Sequence, residues 1–297
     1  MSSKGLTLSV IFEAESANYG EGFGNIQVLK KMTRGDGNTY TYISRQALRY
    51  NITQQMGIDN TPVQAEGKGG VVQYQPLATI EDYPEIDLFG YMKTKKGKGK
   101  TAENTEDDGK GGASTRNAVV RLSNAISLEP YSADMDFLTN MGLAKRSNLM
   151  NNISQSEIHK SYYSYSLTID LDDIGVDKND DISLDTAEKA KRVNSLLSTV
   201  KKLYRDIKGR RENFSPVFAV GGLYEVKCPF FENRLKVSKN VLNVDAVQSN
   251  IEMAGKNSKV GYMNGTFNNE VEIAKLNPMK INEFFEALMK EVEEYYG

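Results

Sequence analysis

The sequence predicts an α+β fold, of the ferredoxin-like or RRM-like kind, that carries two large insertions. Three observations lead to this prediction. Strand segments alternate between apolar and polar residues, helix segments carry apolar residues three and four positions apart, and irregular polar tracts separate them. Their order is strand, helix, insertion, strand, insertion, strand, helix, strand, which is the ferredoxin-like order once the insertions are set aside.

Hydrophobic spacing places each element. The first strand is predicted at residues 6–13 (LTLSVIFE), where β-forming residues alternate. A helix is predicted at 42–51, and the best helix pattern covers 186–207, with Gly209 ending it. The remaining predicted elements are a strand that begins near Arg116 (RNAVVRLSNAISL), strands at 159–171 and 217–226, and a closing helix at 281–296.

Two segments fit neither period and are predicted to be the insertions. Residues 57–113 contain a Gly-Lys-Gly-Gly cluster, a Lys/Gly-rich tract and an acidic run, so we expect a mobile loop within them. Residues 131–156 are also irregular. The predicted division of the chain is therefore 1–56, 57–113, 114–130, 131–156, 157–240 and 241–297.

The composition excludes several classes of protein. With one Cys and one His among 297 residues, the chain has no internal disulfide and no zinc site of the usual Cys/His kind. No apolar stretch approaches the roughly 20 residues of a membrane span, and the N-terminus has no signal-peptide pattern. The formal net charge is −2, so nucleic acid could bind only to a local basic patch. We expect a cytoplasmic protein without a cofactor and without membrane contact.

Residues 30–49 form the strongest basic patch. They contain five basic residues and one acidic residue, Asp36, with tyrosines interspersed. Basic groups at a helix start bind phosphate oxygens, and aromatic rings stack on bases. The pattern favours nucleic-acid binding over the alternative, a solvated basic face whose aromatic residues lie in the core. The preceding glycine-rich loop, with the spacing Gly20-x-Gly22-x-Gly24, does not match a nucleotide-binding loop.

Several segments, in their order along the chain, resemble one known family. This family is the repeated backbone subunit of type I CRISPR Cascade complexes (the Cas seven family), in the DevR-like autoregulator branch of type I-B systems. The matching segments are 25–52 (NIQVLKKMTRGDGNTYTYISRQALRYNI), 87–92 (DLFGYM), 121–128 (RLSNAISL), 134–140 (DMDFLTN), 157–162 (EIHKSY) and the strand with Gly221 and Gly222.

The resemblance implies an RRM-like palm, with residues 57–113 as fingers and residues 131–156 as a thumb. It also implies that copies of the chain stack along one crRNA and that each thumb pushes out a guide nucleotide. The guide would then be presented to a complementary strand of target DNA. Neighbouring copies and other Cascade subunits would be the protein partners, and the subunit would have no catalytic activity.

The resemblance further implies roles for individual residues. The first helix would bind phosphates, the glycine-containing strand would let the RNA backbone lie close, and the thumb would supply apolar wedges and phosphate contacts. The implied RNA-binding residues are Asn18, Lys30, Arg34, Ser44, Arg45, Gln46, Arg49, Arg116, Lys145, Arg146, Gly221 and Gly222, and the implied wedges are Met141, Leu143 and Met150.

Two alternatives remain open. Related type III subunits cut RNA with an aspartate before the first helix, so a metal-dependent ribonuclease would use Asp36 and the carboxylates near Asp172. Asp36 is explained more simply as a turn residue between two glycines. The second alternative, a DNA-binding autoregulator, would need a groove-reading helix, and neither predicted helix has the helix-turn-helix pattern.

Overall fold

The computed structural model describes residues 4–22, 24–65, 70–94 and 113–297. Its strands are β1 (Gly5–Ala14), β2 (Ile26–Gln27), β3 (Lys31–Thr33), β4 (Thr39–Ile43), β5 (Val63–Gln64), β6 (Gln73–Tyr74), β7 (Tyr91–Thr94), β8 (Ala113–Arg116), β9 (Val120–Leu122), β10 (Ala125–Ser127), β11 (Asp134–Thr139), β12 (Ile153–Ile158), β13 (Ser161–Asp170), β14 (Val176–Asp177), β15 (Ile182–Ser183), β16 (Tyr204–Ile207), β17 (Arg210–Asn213), β18 (Phe218–Tyr224), β19 (Val237–Ser238), β20 (Val241–Leu242), β21 (Lys259–Tyr262) and β22 (Met279–Lys280). Its α-helices are α1 (Arg45–Met56), α2 (Pro84–Phe89), α3 (Met141–Arg146), α4 (Thr186–Lys201), α5 (Val244–Ala254), α6 (Glu270–Ile273) and α7 (Ile281–Tyr296), and 3-10 turns lie at Leu171–Asp173 and Ala274–Leu276.

A large, mostly antiparallel sheet organises the chain. Its strand order is β22-β21-β18-β1-β13-β10-β4-β3, and β9 pairs with β13 beside β10. The central strand β1 pairs with β13 along its whole length, from Gly5 opposite Asp170 to Ala14 opposite Ser161. On its other side β1 pairs with β18. The prediction of a mixed α+β fold is confirmed.

The core follows from alternation along the sheet. Leu6, Leu8, Val10 and Phe12 of β1 share one face and lie in a fully buried cluster with apolar residues of α1, α4 and α7. The other face, around Ile11 of β1 and much of β18, packs against a second cluster drawn largely from residues 231–276. Both faces of the central strands are therefore covered, which explains their near-complete burial.

Helix α1 begins three residues later than predicted because β4 continues to Ile43 and Ser44 caps the helix. The Ser44 backbone is extended, and its hydroxyl accepts a hydrogen bond from the Ala47 amide, so Ser44 is the N-cap. Tyr42 and Ile43 consequently belong to β4. At the other end Gly57 adopts φ +67°, a left-handed cap that favours glycine.

The helix predicted at 186–207 ends six residues early, so the prediction was wrong there. Residues 204–207 instead form β16, the first strand of a hairpin with β17, and Lys208 and Gly209 at its turn have positive φ values of 50° and 78°. Two such residues make the tight turn that matches the twist of a hairpin. Leu203 and Ile207 fit helical spacing and strand alternation equally well, so periodicity could not separate the two structures. The closing helix was predicted correctly at residues 281–296.

The strand predicted from Arg116 is divided among three short strands. β8 pairs with β7 outside the main sheet, whereas β9 and β10 pair successively with β13. Between them, the Ser123 hydroxyl accepts a hydrogen bond from the Ser166 amide at 2.9 Å. Asn124, between β9 and β10, reaches the start of α1, where its side-chain oxygen accepts a hydrogen bond from the Arg45 amide.

Between β10 and β13 the chain forms the exposed hairpin, residues 134–158, consisting of β11, α3 and β12. Its strands pair from Asp134 opposite Ile158 to Thr139 opposite Ile153, and every residue of β11 is exposed. β12 also pairs in parallel with β2, next to the glycine-rich loop.

Most of the Lys/Gly-rich tract and all of the acidic run, predicted as a mobile loop, lie outside the described residues. Within the described chain, every helix is too short or too polar to cross a lipid bilayer.

Candidate nucleic-acid interface

A groove of about 660 Å³, here called the α1 groove, opens where helix α1 begins. The end of β4 and the first turn of α1 form one wall, and the β9–β10 turn and the loop after β18 form the others. The lining residues are Lys30, Tyr42, Ser44, Arg45, Gln46, Leu122, Ser123, Asn124, Ile126, Glu232 and Asn233.

The start of α1 favours anions in this groove. The first turn of α1 contains no acidic residue, so no charged side chain of that turn offsets the partial positive charge of the helix N-terminus. The Arg45 amide is held by the Asn124 side-chain oxygen at 2.9 Å, which fixes the helix start against the β9–β10 turn. Arg45 and Gln46 are exposed, and neither forms an ion pair or side-chain hydrogen bond with a residue that the structure describes. Their donors remain available to a ligand.

Asn18 ties the two sides of the α1 groove together. Its side-chain oxygen accepts hydrogen bonds from the Ser44 amide at 3.2 Å and the Ser44 hydroxyl at 2.8 Å. Its backbone carbonyl accepts from the Lys30 amide at 2.6 Å. Asn18 thus positions both Ser44 and Lys30. Asn18 is predicted to bind RNA, and in the structure its side chain supports the wall of the groove.

A buried ionic network holds the chain just before Asn18. One oxygen of Glu212 accepts from the amides of Glu15 at 2.7 Å and Ser16 at 2.9 Å. Arg205 pairs with the other Glu212 oxygen at 3.1 Å and also donates to the Ser16 carbonyl. The hairpin β16–β17 therefore braces the segment that leads into the α1 groove.

Arg49 lies one turn further along α1 and faces the insertion. Its guanidinium donates to the Tyr74 hydroxyl at 2.9 Å, lies 3.3 Å from a Glu85 oxygen and stacks on the Phe89 ring at 4.9 Å. With about a third of its side chain exposed, Arg49 links α1 to the insertion. Arg49 therefore does not line the α1 groove, whereas Arg45 and Gln46 do.

Arg116, predicted to bind RNA, lies in a different environment. Its guanidinium is 8% exposed, pairs with the fully buried Asp87 at 2.8 Å and donates to the carbonyls of Asp173 and Val176. Arg192 of α4 pairs with the second Asp87 oxygen at 2.9 Å. These contacts correct the expectation of an available side chain, because almost every donor of Arg116 is used within the fold.

Gly221 and Gly222 are likewise enclosed by the chain itself. A Cβ on Gly221 would collide with the backbone of Thr7 and Leu8 in β1, and one on Gly222 would collide with the Asn257 carbonyl. Both residues are buried in β18. Glycine is required here for close packing of this chain's own backbone rather than for an approaching ligand.

The exposed hairpin presents apolar and basic side chains together. Met141 and Leu143 of α3 are 50% and 59% exposed, and Met150 in the following loop is 94% exposed. Lys145 and Arg146 are exposed on the same short helix. The predicted thumb residues are thus gathered at one tip, which has the composition expected of a surface that inserts between apolar or aromatic groups.

Asp36 forms the turn between β3 and β4. Its carboxylate accepts from the Tyr40 hydroxyl at 2.6 Å and the Asn38 amide at 2.9 Å, and the hydrogen bond from Tyr40 lowers the pKa of Asp36. The exposed Arg34 stacks on Tyr40 at 4.2 Å, so Arg34 lies at this turn and not in the α1 groove. Among residues 4–22, 24–65, 70–94 and 113–297, no three His, Cys, Asp or Glu side chains are grouped to hold a metal ion.

Among the residues that line the α1 groove, Asn124 and Glu232 are two polar ones that were not predicted as site residues. Asn124 belongs to a segment that resembled the family, but its neutral side chain gave no charge signal. Glu232 is flanked by basic residues at 227, 234, 236 and 239, so the sequence around it gives no signal for an acidic site residue. Only the fold brings the two together.

Comparisons with known proteins agree with this architecture. The sequence matches the family described as CRISPR-associated negative auto-regulator DevR/Csa2 over residues 6–243. No curated protein matches the sequence. One similar solved structure, "CRISPR RNA-guided surveillance complex", has a TM-score of 0.55 at 14% identity and covers 95% of this chain and 99% of its own. Another, "CRISPR RNA-guided surveillance complex, pre-nicking", has a TM-score of 0.57 at 11% identity and covers 97% and 100%.

At these identities the solved structures establish a shared fold, and the family match establishes kinship over most of the chain. The chain belongs to the CRISPR-associated DevR/Csa2 family.

Proposed function

We propose that this chain is the repeated, non-catalytic backbone subunit of a type I CRISPR (Cascade) effector complex, in the I-B branch. In this role it binds the guide crRNA along its length and presents it to the complementary strand of target DNA. Neighbouring copies and other Cascade subunits are the proposed protein partners, and the cytoplasm is the proposed location.

The α1 groove is the observation that carries this proposal. It combines a helix N-terminus whose first turn has no acidic residue, the exposed Arg45 and Gln46, and Lys30. Asn18 holds Ser44 and the Lys30 backbone, and Asn124 holds the Arg45 amide. Such a site suits the phosphates of a single strand, because phosphate contacts depend on cations and backbone amides and not on base identity.

The architecture supports the finer assignment of parts. The strands β18, β1, β13 and β10 lie side by side in the order fourth, first, third, second, which is the ferredoxin-like order proposed for the palm. Residues 57–113 would be the fingers and residues 131–156, which include most of the exposed hairpin, the thumb. The tip residues Met141, Leu143 and Met150 would then act as wedges between guide nucleotides.

Salt-dependent RNA binding tests the α1 groove. We expect RNA to copurify with the protein and its affinity to fall by about 0.7 logarithmic units per tenfold rise in salt for each phosphate contact. Replacing Lys30 and Arg45 with alanine should reduce both the affinity and this slope. The control removes two positive charges outside the α1 groove, by Lys191→Ala in α4 and Lys290→Ala in α7. Both lysines are exposed, and their loss should leave the slope unchanged. A wild-type protein that purifies without RNA and binds none at low salt would exclude the proposal.

Nuclease protection tests the wedges and the repeated arrangement. If copies stack on one guide, the mass of the assembly should increase with guide length, and regularly spaced nucleotides should be accessible. Changing Met141, Leu143 and Met150 to serine should remove the periodic accessibility while stability changes by less than about 0.5 kcal/mol, since all three are exposed. A single copy per guide, whatever its length, would contradict the repeated arrangement.

The family description contains the words "negative auto-regulator", which motivate a second candidate. In that role we propose that the chain would bind duplex DNA. A competition between single-stranded RNA and duplex DNA of the same sequence separates the two. Preference for the duplex at equal salt would support regulation of transcription and count against the guide-binding role.

A further inference from the structure

Glu232 is the one acidic residue among those that line the α1 groove. Its partly exposed side chain makes no hydrogen bond or ion pair with any residue the structure describes, although Lys30 and Arg45 line the same groove. A carboxylate beside a proposed phosphate site weakens phosphate binding by like-charge repulsion. A ligand group that donates a hydrogen bond to this carboxylate would offset the repulsion.

The loop that carries Glu232 is held in place. Phe231, next to it, is fully buried, and Leu235 is 3% exposed, so apolar side chains anchor the loop on both sides. Turn hydrogen bonds run from the Glu232 amide to the Pro229 carbonyl at 3.0 Å and from the Arg234 amide to the Phe231 carbonyl at 3.1 Å. The carboxylate is thus presented to the α1 groove by an ordered turn.

The chemistry of the nucleic-acid backbone identifies the donor. An ionised carboxylate only accepts hydrogen bonds. The phosphates and sugars of single-stranded DNA carry no donor along the strand, whereas RNA carries one per nucleotide, the ribose 2′-hydroxyl. A phosphate held by Arg45 and Lys30 would bring the adjacent sugar within the same groove, where Glu232 forms part of the wall.

We propose that Glu232 is a specificity-determining residue that accepts a hydrogen bond from a ribose 2′-hydroxyl, so that the α1 groove selects RNA over DNA. This inference rests on the proposed function, because it requires the strand's phosphates to occupy the groove. The carboxylate repels the phosphates of RNA and DNA alike, and only RNA offsets that repulsion with a donor.

The test compares short uridine strands that one chain can cover, bound to the full-length protein. One strand is RNA, a second is DNA with the same bases, and a third carries 2′-fluoro sugars, which keep the RNA sugar conformation but lack the donor. We expect the wild type to prefer RNA over both others by about tenfold, the net worth of one hydrogen bond to a charged acceptor.

Two substitutions separate charge from hydrogen bonding. Glu232→Ala should bind the DNA and 2′-fluoro strands more tightly than the wild type and bring the preference for RNA close to one. Glu232→Gln keeps an acceptor without the charge, so it should bind all three strands more tightly with an intermediate preference. Glu225→Gln, an exposed carboxylate near β18 that does not line the groove, is the matched control and should behave as wild type.

Each other outcome counts against the inference. If Glu232→Ala tightens binding of all three strands equally, Glu232 acts by repulsion alone. If the wild type prefers RNA to DNA but does not distinguish 2′-fluoro strands from RNA, sugar conformation is read without the hydroxyl. A wild type that binds RNA and DNA equally refutes the role of Glu232 while leaving the proposed function intact, whereas a wild type that binds no strand refutes the proposed function.

Discussion

Two clusters of basic side chains in this chain differ in what their donors contact. Around Asp87, Arg116 and Arg192 are buried and direct their guanidinium groups at the carboxylate and at backbone carbonyls. In the α1 groove, Arg45 is exposed and only its backbone amide is held within the fold. The first cluster fastens the insertion to α4, and the second leaves its donors for a ligand. The arginines therefore differ in whether their guanidinium N–H groups already have partners within the fold.

The largest expected effect comes from removing the anion at the centre of the buried cluster. Asp87→Asn would remove the counter-charge of the buried Arg116 guanidinium and leave Arg192 paired with Glu188 alone, so we expect a loss of about 3–5 kcal/mol in the free energy of unfolding. Denaturant unfolding measures it. Asp206→Asn, which breaks the exposed pair with Arg211, is the control and should cost less than about 1 kcal/mol. Equal effects from both substitutions would show that the Asp87 cluster is not structural.

The next effect concerns the support of the α1 groove. Asn18→Ala removes the acceptor for both hydrogen bonds from Ser44, and we expect a loss of about 1–2 kcal/mol in stability. RNA affinity should fall as well, but its salt dependence should stay that of the wild type, because no cation is removed. Gln27→Ala, at an exposed position of β2, is the control. A reduced salt slope in Asn18→Ala would mean that Asn18 contacts the strand directly.

A smaller effect should separate the two arginines in binding. Arg45→Ala should lower the salt slope of RNA binding by about 0.7 without changing the free energy of unfolding. Arg116→Lys should do the reverse, since a lysine cannot reproduce the forked contacts of the buried guanidinium. Binding titrations at several salt concentrations, with unfolding measured in parallel, decide between them. Any loss of salt slope in Arg116→Lys at unchanged stability would overturn the comparison.

The smallest expected effect concerns the pH dependence of stability, through His159, which contacts strand β4. Burial lowers the pKa of His159, whose Nδ1 lies 2.8 Å from the Thr41 hydroxyl of β4. Because the unfolded chain binds this proton at higher pH than the folded chain, the stabilisation is complete above about pH 6.5 and decreases as the pH falls below it. His159→Gln should flatten the dependence of stability on pH between about 7.5 and 5. Parallel curves for wild type and variant would contradict this.

Local signals predicted much of the fold. α7 was predicted at its observed limits because its apolar stripe is continuous, and β1 was predicted to within one residue at each end. Helix α4 was predicted too long because Leu203 and Ile207 satisfy both periods, and only the positive φ of Lys208 and Gly209 resolves the hairpin.

The candidate site was less predictable than the fold. Arg45 followed from the basic helix start and Gln46 from the family resemblance, but the burial of Arg116 depends on Asp87 and Arg192, which come from distant parts of the sequence. Glu232 was missed for the same reason. Glu232 lines the groove only because the loop after β18 folds next to the start of α1, and residue spacing does not predict that arrangement.

The loop after β18 also offers a practical use. Cys228 is the only cysteine of the chain and is exposed. Its carbonyl accepts a hydrogen bond from Thr7 of the central strand at 3.1 Å, and it precedes Phe231 and Glu232 in the same loop. A thiol-reactive fluorophore would therefore attach at one defined position near the α1 groove. The natural protein can be labelled for optical measurements of strand capture without altering a single residue.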